Sequence, residues 1–459
     1  MFDPSTLAAL LDRSPLGLYV VDLDRFDTNF SDFLSAFRRF YEKTHIAYSY
    51  KTNYLPALCL RVRQLGGLAE VVSRFEYDLA RRMGVPGADI IFNGPIKTAS
   101  DYWEASSTGA IVNIDSAYEI DLLEELVVRP GRTGPFRVGL RCALKADGEV
   151  AATTRFGFDV ESGDFWRAVD RLKRLSGVVL EGLHCHMIPP GRSPAQYASI
   201  ARRLVELSRD IWGRGHEDGP GFLDVGGGFF SHMGPELRAQ FATNLPTFGE
   251  YGEAIAAPFR ECFGHNGNVR LIVEPGLALV ADAMQFVCRV VDTKRVGTQS
   301  RALVGASVYN VRPTKSPRNL VLRRIVNSAV AESPALSAVA PSSASAASLT
   351  GLTPSVGGAS SALCESGRAI TGPTDVVGYT CMEDDVLHRG FEGELRRGHI
   401  LVFENVGAYT LVLKPPFIQG NVPVFAYRKS WCEPRCVRRA ETLDDFMTTY
   451  DFAPVDEER

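Results

Sequence analysis

The sequence is short of the features that mark several large classes of protein. It has no basic excess: 50 lysines and arginines against 54 aspartates and glutamates leave a net charge of −4, whereas a nucleic-acid surface ordinarily needs a basic stripe. No uninterrupted apolar run is long enough to cross a bilayer. Neither nucleic acid nor membrane is therefore an expected partner. The first residues, MFDPSTLAALLDRSPLG, lack a basic segment followed by a long apolar one, which argues against a secretory signal. The nine cysteines are odd in number and scattered over 459 residues, which suits reduced thiols and a cytoplasmic location. Cys432 and Cys436 form a lone CxxxC, and HExxH and paired CxxC motifs are missing, so no metal site is expected.

What is present is an alternation of strand-like and helix-like runs from about residue 45 to 280. The strand-like runs end in AYSYK, LAEVVS, DIIFNGP, AIVNID, RVGLRC, LEGLHCH, FLDVGGG and VRLIVEPG. Between them lie segments such as PALCLRVRQLGG and SAYEIDLLEELVV, with apolar residues at helical spacing. Eight βα units in series predict a closed (β/α)8 TIM-like barrel over residues 29–280. Beyond it, MQFVCRVVDTKRV, RALVGASVYNV, HILVFENVGAY and VPVFAYR follow one another without long helices. They predict a mostly antiparallel β-barrel or sandwich over 281–459. The early run GLYVVDLD, within residues 1–28, is expected to join that second domain. A Ser-, Ala- and Pro-rich stretch at 330–363 has too few large apolar groups to bury itself and reads as a disordered insertion.

Four strand ends carry reactive groups. In HIAYSYKTNY the period of two puts Ala47, Ser49 and Lys51 on one strand face. Two small residues there clear space in front of an ammonium, although a solvated terminal lysine is the plain alternative. In GLHCHMIPP, His184 and His186 share a face. With no evident third zinc ligand, an imidazole packed against a planar ligand is the better reading, and two satisfied core histidines the plainer one. LDVGGGFF sets Gly226, Gly227 and Gly228 directly after a strand, where backbone can approach an anion or simply bend tightly. LIVEPG ends in Glu274, a carboxylate able to hold a proton on a heteroaromatic nitrogen. A lysine, an anion cradle, a stacking imidazole and a nitrogen-facing carboxylate are the parts needed to hold pyridoxal 5'-phosphate.

The order of these motifs resembles the fold-type III pyridoxal-phosphate decarboxylases, a family that includes diaminopimelate, ornithine and arginine decarboxylases and has an alanine-racemase-like fold. The likeness covers almost the whole chain outside the Ser/Ala-rich stretch. It implies that Lys51 in YSYKTN is the Schiff-base lysine, that His186 stacks on the ring, that Gly226, Gly227 and Gly228 bind phosphate, and that Glu274 meets the ring nitrogen. It further implies that Tyr409 in VGAY contributes to the phosphate site. Cys381, in GYTCMEDD, would sit on a loop reaching into a partner subunit and help protonate Cα. A homodimer with active sites at its interface follows from the same likeness. Cys364 in CESGR mimics the cysteine loop, but Cys381 is preferred because Gly378 precedes it and Asp385 follows it at the family's spacing.

Four departures bear on the substrate. The family usually follows EPG with arginine, where Leu277 stands here. It usually has Gly-Ser after the stacking histidine, where Met187, Ile188 and Pro189 stand; Arg192 or Ser193 is expected to substitute. Arg312 and Pro313 are in place, yet Ser316 occupies the position of a tyrosine in diaminopimelate decarboxylases. Met382 replaces the acid that reads a distal amino group, with Glu383 and Asp384 next to it. Arg312, Glu383 and Asp384 are therefore the expected substrate contacts. The leading expectation is a decarboxylase acting on an L- or D-amino acid with an unusual distal group, such as a citryl-amino-acid intermediate of siderophore biosynthesis. The alternatives are a diaminopimelate or ornithine/lysine decarboxylase, an amino-acid racemase, or a catalytically silent regulatory homologue. Glu274 argues against the racemase, and the presence of Lys51 and Cys381 against the silent homologue.

Overall fold

Eight short runs of mostly β-branched and aliphatic residues pair side by side: Thr44–Ser49, Leu68–Val71, Ile90–Phe92, Ile111–Ile114, Phe136–Ala143, Val178–His184, Phe222–Asp224 and Arg270–Val273. All neighbours in this ring are parallel, and the last strand returns to the first, with Leu271 opposite Thr44 and Val273 opposite Ile46. The barrel is thereby closed. Parallel strands are covered on both faces, which is why IIF and IVNI are continuously apolar rather than alternating. Ala47, Ile91, Ile111, Phe222 and Ile272, each from a different strand, pack together across the interior. The expected helices are present, among them Pro56–Gln64 and Ala117–Val127. This computed structural model describes residues 3–131, 134–145, 154–213, 219–314, 316–325 and 369–451. The Ser/Ala-rich stretch at 330–363 lies outside the described residues.

The second sheet is mixed but mostly antiparallel. Its spine is the long strand Met284–Val296, which pairs antiparallel with Leu18–Asp22, Gln299–Val304 and Ile400–Phe403. Leu18–Asp22 also pairs in parallel with Val424–Tyr427, so the early run GLYVVDLD sits inside this sheet. One loop of this sheet clamps the start of the barrel: the Tyr409 amide donates to the Thr52 carbonyl (2.8 Å), and the Asn53 side-chain amide to the Gly407 carbonyl (2.8 Å). Gly407 is obligatory at this closure, since a Cβ there would stand 1.8 Å from the Val280 carbonyl oxygen. Among the described residues no helix is long and apolar enough to cross a membrane.

Candidate active site

Lys51 lies on a single 3₁₀ turn, Tyr50–Thr52, directly after strand Thr44–Ser49. The strand ends two residues short of it, so the shared face inferred for Ala47, Ser49 and Lys51 is broken. The cause is tertiary: Thr52 gives its carbonyl to Tyr409 instead of to a neighbouring strand. The small residues also serve other ends than clearing room for a ring. Ala47 fills the barrel interior, and the Ser49 hydroxyl donates to Glu70 Oε2 (2.6 Å).

Glu70, which the sequence reading passed over, is the first partner of Lys51. The two form an ion pair in which the Glu70 side chain is fully buried and the Lys51 side chain is 33% exposed. Burial works against the ammonium, but Glu70 and then Glu274 outweigh it and raise the Lys51 pKa above that of an ordinary lysine. The amine is thus held protonated until a reaction removes the proton. Glu70→Gln removes the nearer charge, so the pH midpoint for reaction of Lys51 with an aldehyde should fall by about one unit or more. A pH series of the attachment rate checks this; an unmoved or rising midpoint would contradict it.

A buried amide chain links Glu70 to Glu274. The Asn93 side-chain amide donates both to Glu70 Oε1 (3.0 Å) and to Glu274 Oε1 (2.5 Å), while Asn113 donates to Asn93 Oδ1 (2.7 Å). Glu274 Oε2 is buried with no hydrogen-bond partner among the described residues. Around it stand His184 Nε2, 3.6 Å from Oε1, and His186 Nδ1, 3.5 Å from Oε2. His186 Nδ1 accepts the Gly227 amide (2.9 Å). Burial opposes charge on Glu274, yet the surrounding imidazoles and Lys51 overcome it and hold its pKa well below the usual range. Asp224 goes the other way: burial, then the charge of Glu274, pushes its carboxyl well up. Two carboxyl groups driven apart in this manner leave one ionised and one neutral. His184, Asp224 and Glu274 place their ligand atoms within 4.8 Å of one another, a trio that leaves out His186.

The three glycines are required by close approach. A Cβ on Gly226 would come 2.6 Å from His186 Nδ1, on Gly227 2.2 Å from the Glu274 carbonyl oxygen, and on Gly228 2.8 Å from the Tyr197 hydroxyl. Their amides are not equally available. Gly226 donates to Asp224 Oδ1 (2.8 Å) and Gly227 to His186, which leaves the Gly228 amide without an acceptor among the described residues. The expectation that all three amides face an anion is thereby narrowed to one. Arg141, paired with Asp115 (2.8 Å), donates to the His186 carbonyl (3.2 Å) and fixes the strap that carries this imidazole.

A cavity of about 360 Å³ opens between the barrel and the second sheet; Tyr409, whose amide bonds the Thr52 carbonyl, lines it, whereas Lys51, His186, Glu274 and the three glycines are not among its described lining residues. Leu277 and Tyr409 line one part of it, Arg312, Ser316 and Arg318 another, with Arg192 and Phe230 on the barrel side. Three non-glycine residues with left-handed backbone line it: Arg192 (φ 51°), Asn405 (φ 59°) and Tyr409 (φ 68°). Such conformations cost about 1–3 kcal/mol each and concentrate where function over-determines the backbone. The Arg312 guanidinium donates to the carbonyls of Ser316 (3.0 Å), Arg318 (3.0 Å) and Val386 (2.7 Å), and its buried Nε has no partner. Burial, then the charge of Arg389, pulls its pKa below the usual value.

Cys381 is exposed and does not line this cavity. Its loop is pinned by Asp385, whose carboxylate accepts the amides of Val308 (2.6 Å) and Thr380 (2.9 Å). Gly378 is needed there because a Cβ would stand 2.2 Å from that carboxylate. Glu383 and Asp384 are exposed on the same loop.

The pyridoxal-binding domain of the pyridoxal-dependent decarboxylases matches residues 24–281. This chain belongs to that family. The decarboxylase is 31% identical over 391 residues to a diaminopimelate decarboxylase of Actinosynnema pretiosum, a match covering 82% of this chain and 76% of that protein. Among solved structures it is similar to diaminopimelate decarboxylase from M. jannaschii in complex with L-lysine, with a TM-score of 0.78, 21% identity and coverage of 97% and 94% of the two chains. It is also similar to lysine decarboxylase from Selenomonas ruminantium, with a TM-score of 0.69, 20% identity and coverage of 94% and 96%. The fold is shared with both. The enzyme is a carboxy-lyase and its cofactor is pyridoxal 5'-phosphate. The residues present fit that group: an orphaned, buried carboxylate oxygen on Glu274, a partly exposed lysine above it, and a glycine turn that any Cβ would fill.

Proposed function

We propose that this decarboxylase removes carbon dioxide from Cα of an amino acid whose far end carries a carboxylate. The observation that carries the distal assignment is the charge of the cavity. Its described lining residues include three arginines and no aspartate or glutamate. A distal ammonium would meet only like charge there, while a carboxylate would find donors left over on Arg312 and on Arg318, whose guanidinium lies 3.9 Å from the Phe241 ring centroid. The relatives named above speak for diaminopimelate or lysine better than for the citryl conjugate suggested by Leu277, Ser316 and Met382. Of these two, diaminopimelate has the carboxylate. The citryl conjugate stays as a second reading because it too ends in carboxylates.

When bound, pyridoxal phosphate supplies an aldehyde for amines to condense with and a cationic ring that takes up the electron pair left by carbon dioxide. In this proposal Lys51 would hold the aldehyde carbon until the substrate amine displaces it, while Glu70 keeps the amine charged until it is needed. Glu274 keeps the ring nitrogen protonated, backed by neutral Asp224 and by Asn93. His186, held by Arg141 and Gly227, would pack against the ring. The Gly228 amide and Tyr409 would serve the phosphate. Cys381, with Glu383 and Asp384, would come from a second copy of the chain, the cysteine giving Cα its proton and the acids reading the amine that diaminopimelate carries beside its distal carboxylate. Residues 29–280 carry the cofactor and 281–459 close the cavity, in a cytoplasmic homodimer. The apolar rim supports such a partner: Phe75 (66% exposed) and Ile96 (77%) follow adjacent barrel strands on the side where Lys51 lies.

Comparing kcat/KM for diaminopimelate and for lysine tests the distal assignment. Loss of one charge-assisted contact is worth about 1.5–3 kcal/mol, so diaminopimelate should exceed lysine by on the order of 10²-fold. Equal turnover of lysine would contradict an anion-reading cavity. Turnover of a citryl conjugate alone would move the substrate to the second reading.

A further inference from the structure

The phosphate of the cofactor is a dianion, and the elements nearest the glycine turn supply it with little. Of the three glycine amides, two are already bonded to Asp224 and His186. The residue after the Glu-Pro-Gly turn, Leu277, is apolar and lines the same cavity. Of the three arginines in that cavity, Arg312 gives three of its donors to backbone carbonyls, and those it has left are assigned above to the substrate's distal carboxylate. Arg318 stacks on Phe241 and reaches toward the Gln240 carbonyl (3.4 Å), away from the glycine turn.

Arg192 is different on each count. It follows the strap that carries His186, and its guanidinium carbon lies 4.9 Å from the ring centroid of Phe230, two residues beyond Gly228. It has no carboxylate partner among the described residues and it lines the cavity with Leu277 and Tyr409. Its backbone is held in the left-handed region (φ 51°), with its carbonyl accepting the Tyr251 hydroxyl (2.9 Å). A non-glycine residue kept in that conformation by a buried tyrosine has a backbone that the surrounding fold over-determines. Its neighbour Ser193 is otherwise engaged. It caps helix Pro194–Trp212, accepting the Gln196 amide (3.3 Å) and donating to the Gln196 side chain (3.1 Å). Of the two substitutes expected from the sequence, the structure therefore keeps one.

We infer that Arg192 is the cationic phosphate partner of this enzyme, reaching across from the histidine strap to do what an arginine at position 277 would do. The inference rests on pyridoxal phosphate being the cofactor and concerns which residue of this chain carries its charge. A guanidinium suits the task because its planar fork matches two phosphate oxygens, and the Phe230 face stabilises it before the anion arrives.

Binding of pyridoxal phosphate and of pyridoxal, which lacks the phosphate, to the full-length chain stripped of cofactor separates the possibilities. Both are followed by quenching of intrinsic fluorescence, with no activity readout. Arg192→Ala should weaken pyridoxal phosphate by about 10- to 100-fold and change pyridoxal affinity by less than about threefold. Adding Leu277→Arg to that variant should recover most of the loss. Equal weakening of both ligands would mean that Arg192 merely shapes the strap, and an unchanged phosphate preference would place the charge elsewhere. Either result overturns the inference. Failure of the wild-type chain to bind both ligands would instead strike at the cofactor site as a whole.

Discussion

Lys51→Ala is expected to lower carbon dioxide release by on the order of 10³-fold or more, because the amine that holds and releases the aldehyde carbon is gone. The loss should be chemical rather than structural. Glu70 would lose its cation but keep the Ser49 hydroxyl and the Asn93 amide, so its buried oxygens remain partnered. The melting temperature should therefore shift by only a few degrees. Borohydride treatment of the wild type, followed by peptide mapping, should leave the cofactor fixed at Lys51 and nothing fixed in the variant. Attachment at another lysine would contradict the assignment. The buried Lys97 is the obvious check, since it is tied to Glu119 (2.7 Å) and its pKa is lowered by burial.

Glu274→Gln is expected to cost about 10²- to 10³-fold in kcat, with a smaller change in KM. The variant keeps the size of the side chain and its bond to Asn93 can re-form through the amide oxygen. What disappears is a full negative charge at the buried oxygen that has no hydrogen-bond partner among the described residues, and a charged contact in a buried site is worth several pKa units at about 1.4 kcal/mol each. A pH dependence absent from the wild type should appear on the acid side. In the wild type Glu274 stays ionised far below neutrality, so its support of the ring nitrogen persists as pH falls. Without it the ring takes its proton from solvent, and kcat of the variant should rise as pH is lowered. A variant with wild-type kcat would remove Glu274 from the chemistry.

The strands were legible because each carries its own signal: an apolar run ended by a glycine, proline or polar residue. The fold's closure was legible from their number. Less legible were residues whose partners lie on other strands. Glu70 is one acid inside LAEVVS, and nothing local shows that Ser49, Lys51 and Asn93 converge on it; a charge in an otherwise apolar barrel strand was the available signal. Asp224 in LDVGGG was overlooked beside the glycines for the same reason. The 3₁₀ turn at Lys51 was hidden because its cause is Tyr409, more than three hundred residues later. The glycines looked equivalent in sequence, and only the fold shows that His186 and Asp224 take two of their amides. The role of Ser193 as cap of helix Pro194–Trp212 was not visible beside Arg192 in the sequence.

The most direct measurement is carbon dioxide release from carboxyl-labelled diaminopimelate by the purified, cofactor-loaded chain in D2O, with the hydrogen content at the former Cα read by mass spectrometry. Decarboxylation with Lys51 and Glu274 in the assigned roles predicts one carbon dioxide per substrate consumed and one deuterium at the carbon it left, both lost in Lys51→Ala. Deuterium entering Cα with the carboxyl label retained would contradict it and make the same site a racemase.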